Sequence, residues 1–570
     1  MRYLALACDY DGTLASAGKV SDETVSALER LIKSGRKLIL VTGRDLPSLL
    51  FAFPRCELFE WIVAENGCLL YHPATQERKR LGEPPPEKFL SELRRCKVEP
   101  LSQGEVIVAT WTPHETIVLD VIRKLGLELQ VIFNKGAVMV LPAGKNKATG
   151  LAAALAEMDL SPHNVAGIGD AENDHAFLGL CECAVAVANA LPMLKEKADF
   201  ITAEKNGAGV VELIDEIIAD DLKNREVALS RHDLLFGTDA NGNEIKVHPF
   251  GANLLLAGTS GAGKTTAATS FIERLVESGY QFCVIDPEGD YDGVEQTITL
   301  GSAEQPPSVE EGLELLRKRR ENIIINMVAI SFADRPLFFH KLMPRLQELR
   351  AQTGGPHWII VDEAHHVLPA SWEPTSLTLP GGLYGMLYIS VAPQSLAPGA
   401  LQNVDLVAAL GETAGELMMQ VGSALKQTPP TLGAVKLDRG EVLLWNKNSG
   451  AAPSKVKIVP TLRERRRHRR KYAEGDLGPE RSFYFRGPKK KLNLKAQNLI
   501  LFMQIADGVD DETWDHHLRQ GDYSRWFREC IKDDALAAEA TRIEGNKNIA
   551  PAESRKRIKA AITERFTLPV

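Results

Sequence analysis

One octapeptide limits what this chain can fold into more than any other stretch of it. Gly258-Thr259-Ser260-Gly261-Ala262-Gly263-Lys264-Thr265 matches GxxxxGK[ST] in full, between the apolar run NLLLAG and the amphipathic stretch TTAATSFIERLVESG. A strand feeding a glycine-rich turn that opens a helix brings successive backbone N–H groups to converge on a phosphate. In that arrangement Lys264 reaches the β- and γ-phosphates, and the Thr265 hydroxyl takes up Mg²⁺. The segment predicts a parallel α/β sheet around it and ATP as ligand, held by Gly258 to Thr265 together with Thr266.

A second signal lies downstream. His357-Trp-Ile-Ile-Val-Asp362-Glu363 is an apolar strand ending in two acids. Behind a phosphate loop, Asp362 is placed to hold the metal and Glu363 to polarise the attacking water. Gln394 follows the strand-like YISVAP, where a polar side chain would sense the γ-phosphate; a plain turn glutamine is the competing reading.

Residues 1–215 carry a different set. Strand-like YLALACDY, helical SDETVSALERLIKSG and strand-like RKLILVTGR alternate, as in a parallel α/β sheet. Ligands of such sheets sit at the carboxyl ends of strands, and acids and hydroxyls cluster there. Asp9 and Asp11 end the first strand; two carboxylates so spaced suit nucleophilic attack on phosphorus and proton transfer to the leaving oxygen. Thr42, in Thr-Gly-Arg, ends the next strand and offers a hydroxyl to a phosphate oxygen. Lys147 opens the helix KATGLAAALAEM and adds a cation beside a helix N-terminus, with Lys145 a nearby competitor. Asp170 and Asp174, in GDAEND, complete an oxygen cage suited to Mg²⁺. Each motif alone is compatible with an ordinary polar turn; four in order, each behind a strand, argue for a site.

The chain has 570 residues, 44% hydrophobic and 25% charged, with a formal net charge of −8. A single core rarely exceeds roughly 250–300 residues, so several domains are expected. No apolar run reaches the roughly 20 residues that cross a bilayer, and the eight scattered cysteines form no CxxC pair. A cytoplasmic protein without membrane contact is expected. The net charge disfavours nucleic acid as a general partner, but Arg463 to Lys471 reads RERRRHRRK and is basic enough to grip phosphates. A solvated linker is the alternative reading of that run. The expected division is 1–215 with an inserted cap at about 67–143, a linker at 216–230, a second α/β unit at 231–460, a basic linker at 461–481 and a mostly helical end at 482–570.

The N-terminal motifs, with AENGCLLY and LPAGKNKATGL, resemble the Cof-like, capped branch of the haloacid dehalogenase (HAD) phosphatases. That resemblance implies a Rossmann-like domain with an α+β cap, acting on a small phosphorylated molecule. It implies Asp9 as nucleophile and Asp11 as acid/base. It also implies Mg²⁺ on Asp9, the Asp11 carbonyl and Asp170 with support from Asp174, and phosphate held by Thr42 and Lys147. The second unit, with IDPEGDY and DRGEVLLW, resembles the HerA/FtsK branch of additional-strand, RecA-like ATPases. That resemblance implies a homo-oligomeric ring, usually a hexamer, with an arginine reaching into the neighbour's site; Arg439 is the candidate and Arg335 its rival. Two activities on one chain are expected. A nucleic-acid motor with an accessory phosphatase, and an ATP-gated scaffold, are the alternatives.

Overall fold

The computed structural model describes residues 2–134, 136–370, 384–425, 427, 436–461, 472, 477, 481–531, 533–546 and 548–566. The chain forms two compact units, Met1–Thr461 and Leu462–Val570. Each half of the first unit is built on its own sheet.

The N-terminal sheet takes β1 (Ala5–Asp9), β2 (Lys37–Val41), β3 (Trp61–Ala64), β4 (Leu69–His72) and β5 (Glu77–Arg80). The cap follows with β6 (Ser102–Gln103), β7 (Val108–Trp111), β8 (Leu129–Asn134) and β9 (Ala137–Pro142). The chain then returns to the main sheet as β10 (Val165–Gly169), β11 (Cys183–Ala186) and β12 (Phe200–Ile201). The main sheet runs in the order β12-β11-β10-β1-β2-β3-β4-β5. β1 is buried throughout, lies parallel to both β2 and β10, and so reads as an unbroken apolar run. The helices that cover it start where short polar side chains stand. The Ser21 hydroxyl accepts the Thr24 N–H at the head of the helix Asp22–Lys33, which buries Ala27, Leu28 and Leu31.

The cap is smaller than residues 67–143. Leu69–His72 and Glu77–Arg80 pair as a hairpin on β3 and stay in the main sheet. The reason is burial: Leu69, Leu70 and Tyr71 belong to the main hydrophobic core and would be bared by leaving it. The cap proper is the four-stranded sheet β6-β7-β9-β8. The helices Glu87–Arg95 and Glu115–Leu125 close one face of it over Phe89, Leu90, Leu93, Val118, Val138 and Val140.

The second half uses β13 (Leu234–Thr238), β14 (Glu244–Val247), β15 (Leu254–Gly258), β16 (Phe282–Asp286), β17 (Thr297–Leu300), β18 (Asn322–Asn326), β19 (Trp358–Val361), β20 (Met386–Ser390), β21 (Leu406–Leu410), β22 (Glu441–Asn446) and β23 (Ser454–Ile458). Their order is β14-β13-β23-β22-β21-β15-β20-β19-β16-β18-β17. β15 lies in the interior, parallel to β20 and β21, and β22 turns antiparallel at the start of the added strands. Each face of this sheet has its own apolar cluster.

The halves meet through buried polar groups. Glu182 accepts from Arg2 Nη2 at 2.9 Å and from Tyr280 Oη at 3.0 Å, and lies 2.6 Å from His163 Nδ1. His163 Nε2 meets the Ser278 carbonyl at 2.7 Å, and its ring stacks on Tyr280. His357 Nδ1 accepts the Gln281 N–H at 2.9 Å, so Nε2 carries the hydrogen, which it donates to Asn164 Oδ1 at 3.2 Å. Arg319 donates to the Leu160 carbonyl at 2.7 Å. Just past the stretch read as a linker, 216–230, Arg231 donates to the carbonyls of Leu178 and Cys181.

The second unit pairs β24 (Phe483–Phe485) with β25 (Leu494–Ala496) and adds helices between Leu499 and Phe566. Trp514, Tyr523, Trp526 and Phe527 form its core, with the Trp514 indole N–H on Ser554 Oγ at 2.9 Å. The basic run Arg463 to Lys471 lies outside the described residues. Among the described residues no helix is long and apolar enough to cross a membrane.

Candidate active sites

The carboxyl end of β1 puts Asp9 in the interior, beside the ends of β2 and β10. Carboxylate oxygens of Asp9, Asp170 and Asp174 lie within 4.8 Å of one another, all buried. The Lys147 ammonium sits among them, donating to Asp9 Oδ1 at 2.5 Å and to Asp174 Oδ1 at 2.6 Å. Asp174 Oδ2 accepts the N–H groups of Asp170 and Ala171 at 2.8 and 2.9 Å, which fixes the turn behind β10. Burial, reinforced by the neighbouring Asp174, raises Asp9 above the usual carboxylate range, and Lys147 opposes that shift. Burial would lower Lys147, but Asp174 and Asp9 outweigh it and raise the ammonium above its ordinary value. Three buried carboxylates around one cation form an oxygen-rich set of the kind Mg²⁺ takes, so these residues fit the ion.

Lys147, rather than Lys145, reaches the acids. Its helix Lys147–Glu157 is capped by Asn146, whose side chain accepts the Thr149 N–H. The helix start packs directly on the turn after β3. A methyl group on Gly67 would fall 1.9 Å from the Asn146 carbonyl oxygen, and one on Gly150 would fall 2.4 Å from Val63 Cγ1. Both glycines are needed for that approach.

Asp11 lies at the exposed edge of the group, and Thr42 lies inside. Thr42 is buried, and its hydroxyl accepts the Arg44 N–H at 3.1 Å. Asp11 is gripped by Arg44 through both oxygens, from Nε and Nη2 at 2.6 Å each. Arg44 went unassigned in the sequence, although it completes the Thr-Gly-Arg triplet. Asn66 and Asn173 were also missed as partners: Asn173 Nδ2 donates to Asn66 Oδ1 at 3.0 Å. No local pattern links them, because 107 residues separate them. The cap closes over this group. A methyl group on Gly43 would lie 3.6 Å from both the Asn173 amide nitrogen and the Met139 sulfur.

In the second half, Gly263 (φ +99°) caps the helix Lys264–Ser278 directly behind β15. The Lys264 ammonium folds back to the Thr259 carbonyl at 3.2 Å. Asp362 follows β19, its N–H on the Ile285 carbonyl at 3.0 Å, beside Asp286, which ends β16 and accepts the N–H groups of Asp290 and Tyr291 at 2.9 and 2.7 Å. Burial, then Asp286 and Glu363, pushes Asp362 well above the usual carboxylate range. Glu363 takes φ +38°; burial raises it and Lys264 offsets part of the rise. The Lys264 charge thus acts on Glu363, and Glu363 acts on Asp362. Gln394 is exposed in the turn after β20, and Arg439 is exposed in the turn before β22. Arg335 is buried, with its guanidinium over the Phe332 ring at 4.1 Å.

Similarity to known proteins divides along the same line. The haloacid dehalogenase-like hydrolase family model matches residues 6–81 and 106–214, and that of the central domain of helicase HerA matches residues 250–352. A phosphoglycolate phosphatase of Saccharolobus solfataricus is 30% identical over 221 residues, 38% of this chain and 93% of that protein. One from Methanothermobacter thermautotrophicus is 30% identical over 219 residues, 37% of this chain and 96% of that one. Among solved structures, a haloacid dehalogenase-like hydrolase from Bacteroides thetaiotaomicron is similar, with 21% identity and a TM-score of 0.33, covering 38% of this chain and 99% of its own.

Proposed function

Because the chain belongs, through its N-terminal part, to the haloacid dehalogenase-like hydrolases and carries the HerA central domain behind it, we propose that it is a Mg²⁺-dependent phosphomonoesterase fused to an ATP-hydrolysing ring protein. The observation that carries the phosphatase reading is the Lys147 ammonium held between Asp9 and Asp174. Mg²⁺, held by Asp9, the Asp11 carbonyl and Asp170, would supply charge neutralisation for the phosphoryl oxygens. Asp9 attacks phosphorus and forms an aspartyl-phosphate as the bond to the leaving oxygen breaks. Asp11 protonates that oxygen and then takes a proton from the water that frees Asp9. Thr42 and Lys147 orient the phosphoryl group. For Asp11 to act, Arg44 must release it.

The named relatives make phosphoglycolate the first substrate to assay. Asp9→Asn is expected to lower that turnover to background and to leave ATP turnover intact. Turnover of phosphoglycolate by the Asp9→Asn protein at the parent rate would sink the assignment.

The second site supports ATP binding by residues 258–266, with Thr265 and Asp362 on the metal and Glu363 on the attacking water. Glu363→Gln is expected to keep ATP affinity and lose turnover. Oligomer formation, with Arg439 from the neighbour, is read from the HerA likeness, and mass in solution with and without ATP tests it. That likeness also favours one second reading, a nucleic-acid motor, which DNA-stimulated ATP turnover would separate from the first.

A further inference from the structure

We propose that Glu65 is a positioning residue that latches the cap onto the core, and that it thereby limits the phosphatase site to small phosphomonoesters. The proposal rests on the phosphatase reading above and names what restricts its substrate.

Glu65 follows β3 and has no exposed surface. Its carboxylate accepts three backbone N–H groups of the cap loop. Oε1 takes Glu105 at 2.8 Å, and Oε2 takes Val106 and Ile107 at 2.7 and 2.9 Å. Among the described residues no lysine or arginine is bonded to it, and these three amides fill its oxygens. A buried carboxylate is costly unless its lone pairs are filled, and here the cap fills them. Gly104 lies against the same carboxylate; a methyl group there would fall 2.5 Å from Oε1.

The latch reaches the reacting groups in one step. The Glu65 N–H donates to the Arg44 carbonyl at 2.9 Å, and the Asn66 N–H donates to the Thr42 carbonyl at 3.0 Å. Asn66 Oδ1 accepts from Asn173 in the turn that carries Asp174. Glu65 and Asn66 both hold positive φ, +51° and +55°. Non-glycine residues keep that conformation where surrounding bonds over-determine it. One dipeptide therefore joins the cap loop, the turn after β2 and the turn after β10. With the cap held there, Met139 covers Gly43 and β8 lies against the turn Glu172–Asp174. The cap thus meets the turns after β2 and β10, the two strands that flank β1 and Asp9.

The carboxylate is specific to the task. A glutamine offers one oxygen instead of two and points an NH₂ group at N–H donors. An aspartate is one carbon shorter.

The test uses the full chain, with Glu65→Gln and, from the other side of the contact, Gly104→Ala. Hydrogen exchange reads the amides of residues 105–107, and kcat/KM is measured for phosphoglycolate and for p-nitrophenyl phosphate. Both variants are expected to lose protection at residues 105–107 by at least about tenfold while β1 and β10 keep theirs. The preference for the small substrate over the aryl one is expected to fall about tenfold, since a loosened lid misplaces groups that select substrate. Unchanged protection in both variants overturns the latch. Lost protection with an unchanged substrate ratio overturns the size limit. Should Glu65→Gln not fold, Gly104→Ala decides, because it alters only the cap side. If the parent cleaves neither phosphate, the failure falls on the phosphatase reading, and the exchange data still decide the latch.

Discussion

Lys147 shows how far a single side chain can be committed. Its ammonium is the cation among three buried carboxylates, and it donates to two of them within 2.6 Å. Removing one partner of a buried ion pair typically costs about 3–5 kcal/mol, because the remaining charge loses its compensation. Lys147→Ala is therefore expected to lower the melting temperature clearly in the absence of Mg²⁺. Adding Asp9→Asn to that variant should recover part of the loss, since one uncompensated charge is gone. A double variant no more stable than Lys147→Ala would show that Asp9 is not part of the electrostatic group. The acids and the lysine were legible in the sequence because each ends a strand or opens a helix, where local pattern and ligand geometry coincide. Arg44, Glu65 and Asn66 were not assigned, because their roles come from contacts to distant segments: Glu65 with residues 105–107, and Asn66 with Asn173.

At the scale of elements, the helix Lys147–Glu157 is set by what is missing beneath it. Gly67 and Gly150 let its first turn touch the strand end. An alanine at Gly150 would put a methyl group 2.4 Å from Val63 Cγ1 and 2.6 Å from the Gly67 Cα. Such overpacking costs about 1–3 kcal/mol, and the helix must shift outward with Lys147 on it. Gly150→Ala is expected to lose phosphatase kcat/KM by at least about tenfold, more than its stability loss explains, because small misplacements of reacting groups are costly. Gly179→Ala, which meets nothing within 4 Å, is the control and should change neither quantity. Strand and helix alternation was readable along both halves of the first unit from apolar period and end residues. The edge of the cap was not, since Leu69–His72 and Glu77–Arg80 look alike whether they leave the main sheet or stay in it. Tertiary burial of Leu69 and Leu70 decided the matter.

At the scale of the molecule, the contact between the two halves of the first unit is titratable. For Glu182 burial works upward, but the hydrogen bond and charge of His163, with Arg2, outweigh it and hold the carboxyl at about 2. Burial first, then His163, lowers His357 to about 3. Both groups sit below their unfolded values, so each contributes stability that is complete above its unfolded pKa and is lost as pH falls toward the folded one. His357 begins to cost stability below about pH 6.5 and Glu182 below about pH 4.5. Unfolding of the full chain is expected to become easier from pH 6.5 downward. Replacing His357 with glutamine should remove about one proton's slope, roughly 1.4 kcal/mol per pH unit. An unchanged pH profile in that variant would show that His357 is not held neutral in the fold. Composition marked residues 216–230 as the natural place to divide the chain, yet the described bonds cross that point in both directions. The phosphatase-like relatives match only about 38% of this chain and almost all of themselves, which invites the belief that its first 230 residues could live alone. Severed there, that fragment would present to water a charged aromatic socket, with Arg2, Glu182 and His163 shorn of Tyr280 and the Ser278 carbonyl. A free-standing N-terminal half cannot be had by scissors alone; its surface would have to be rewritten.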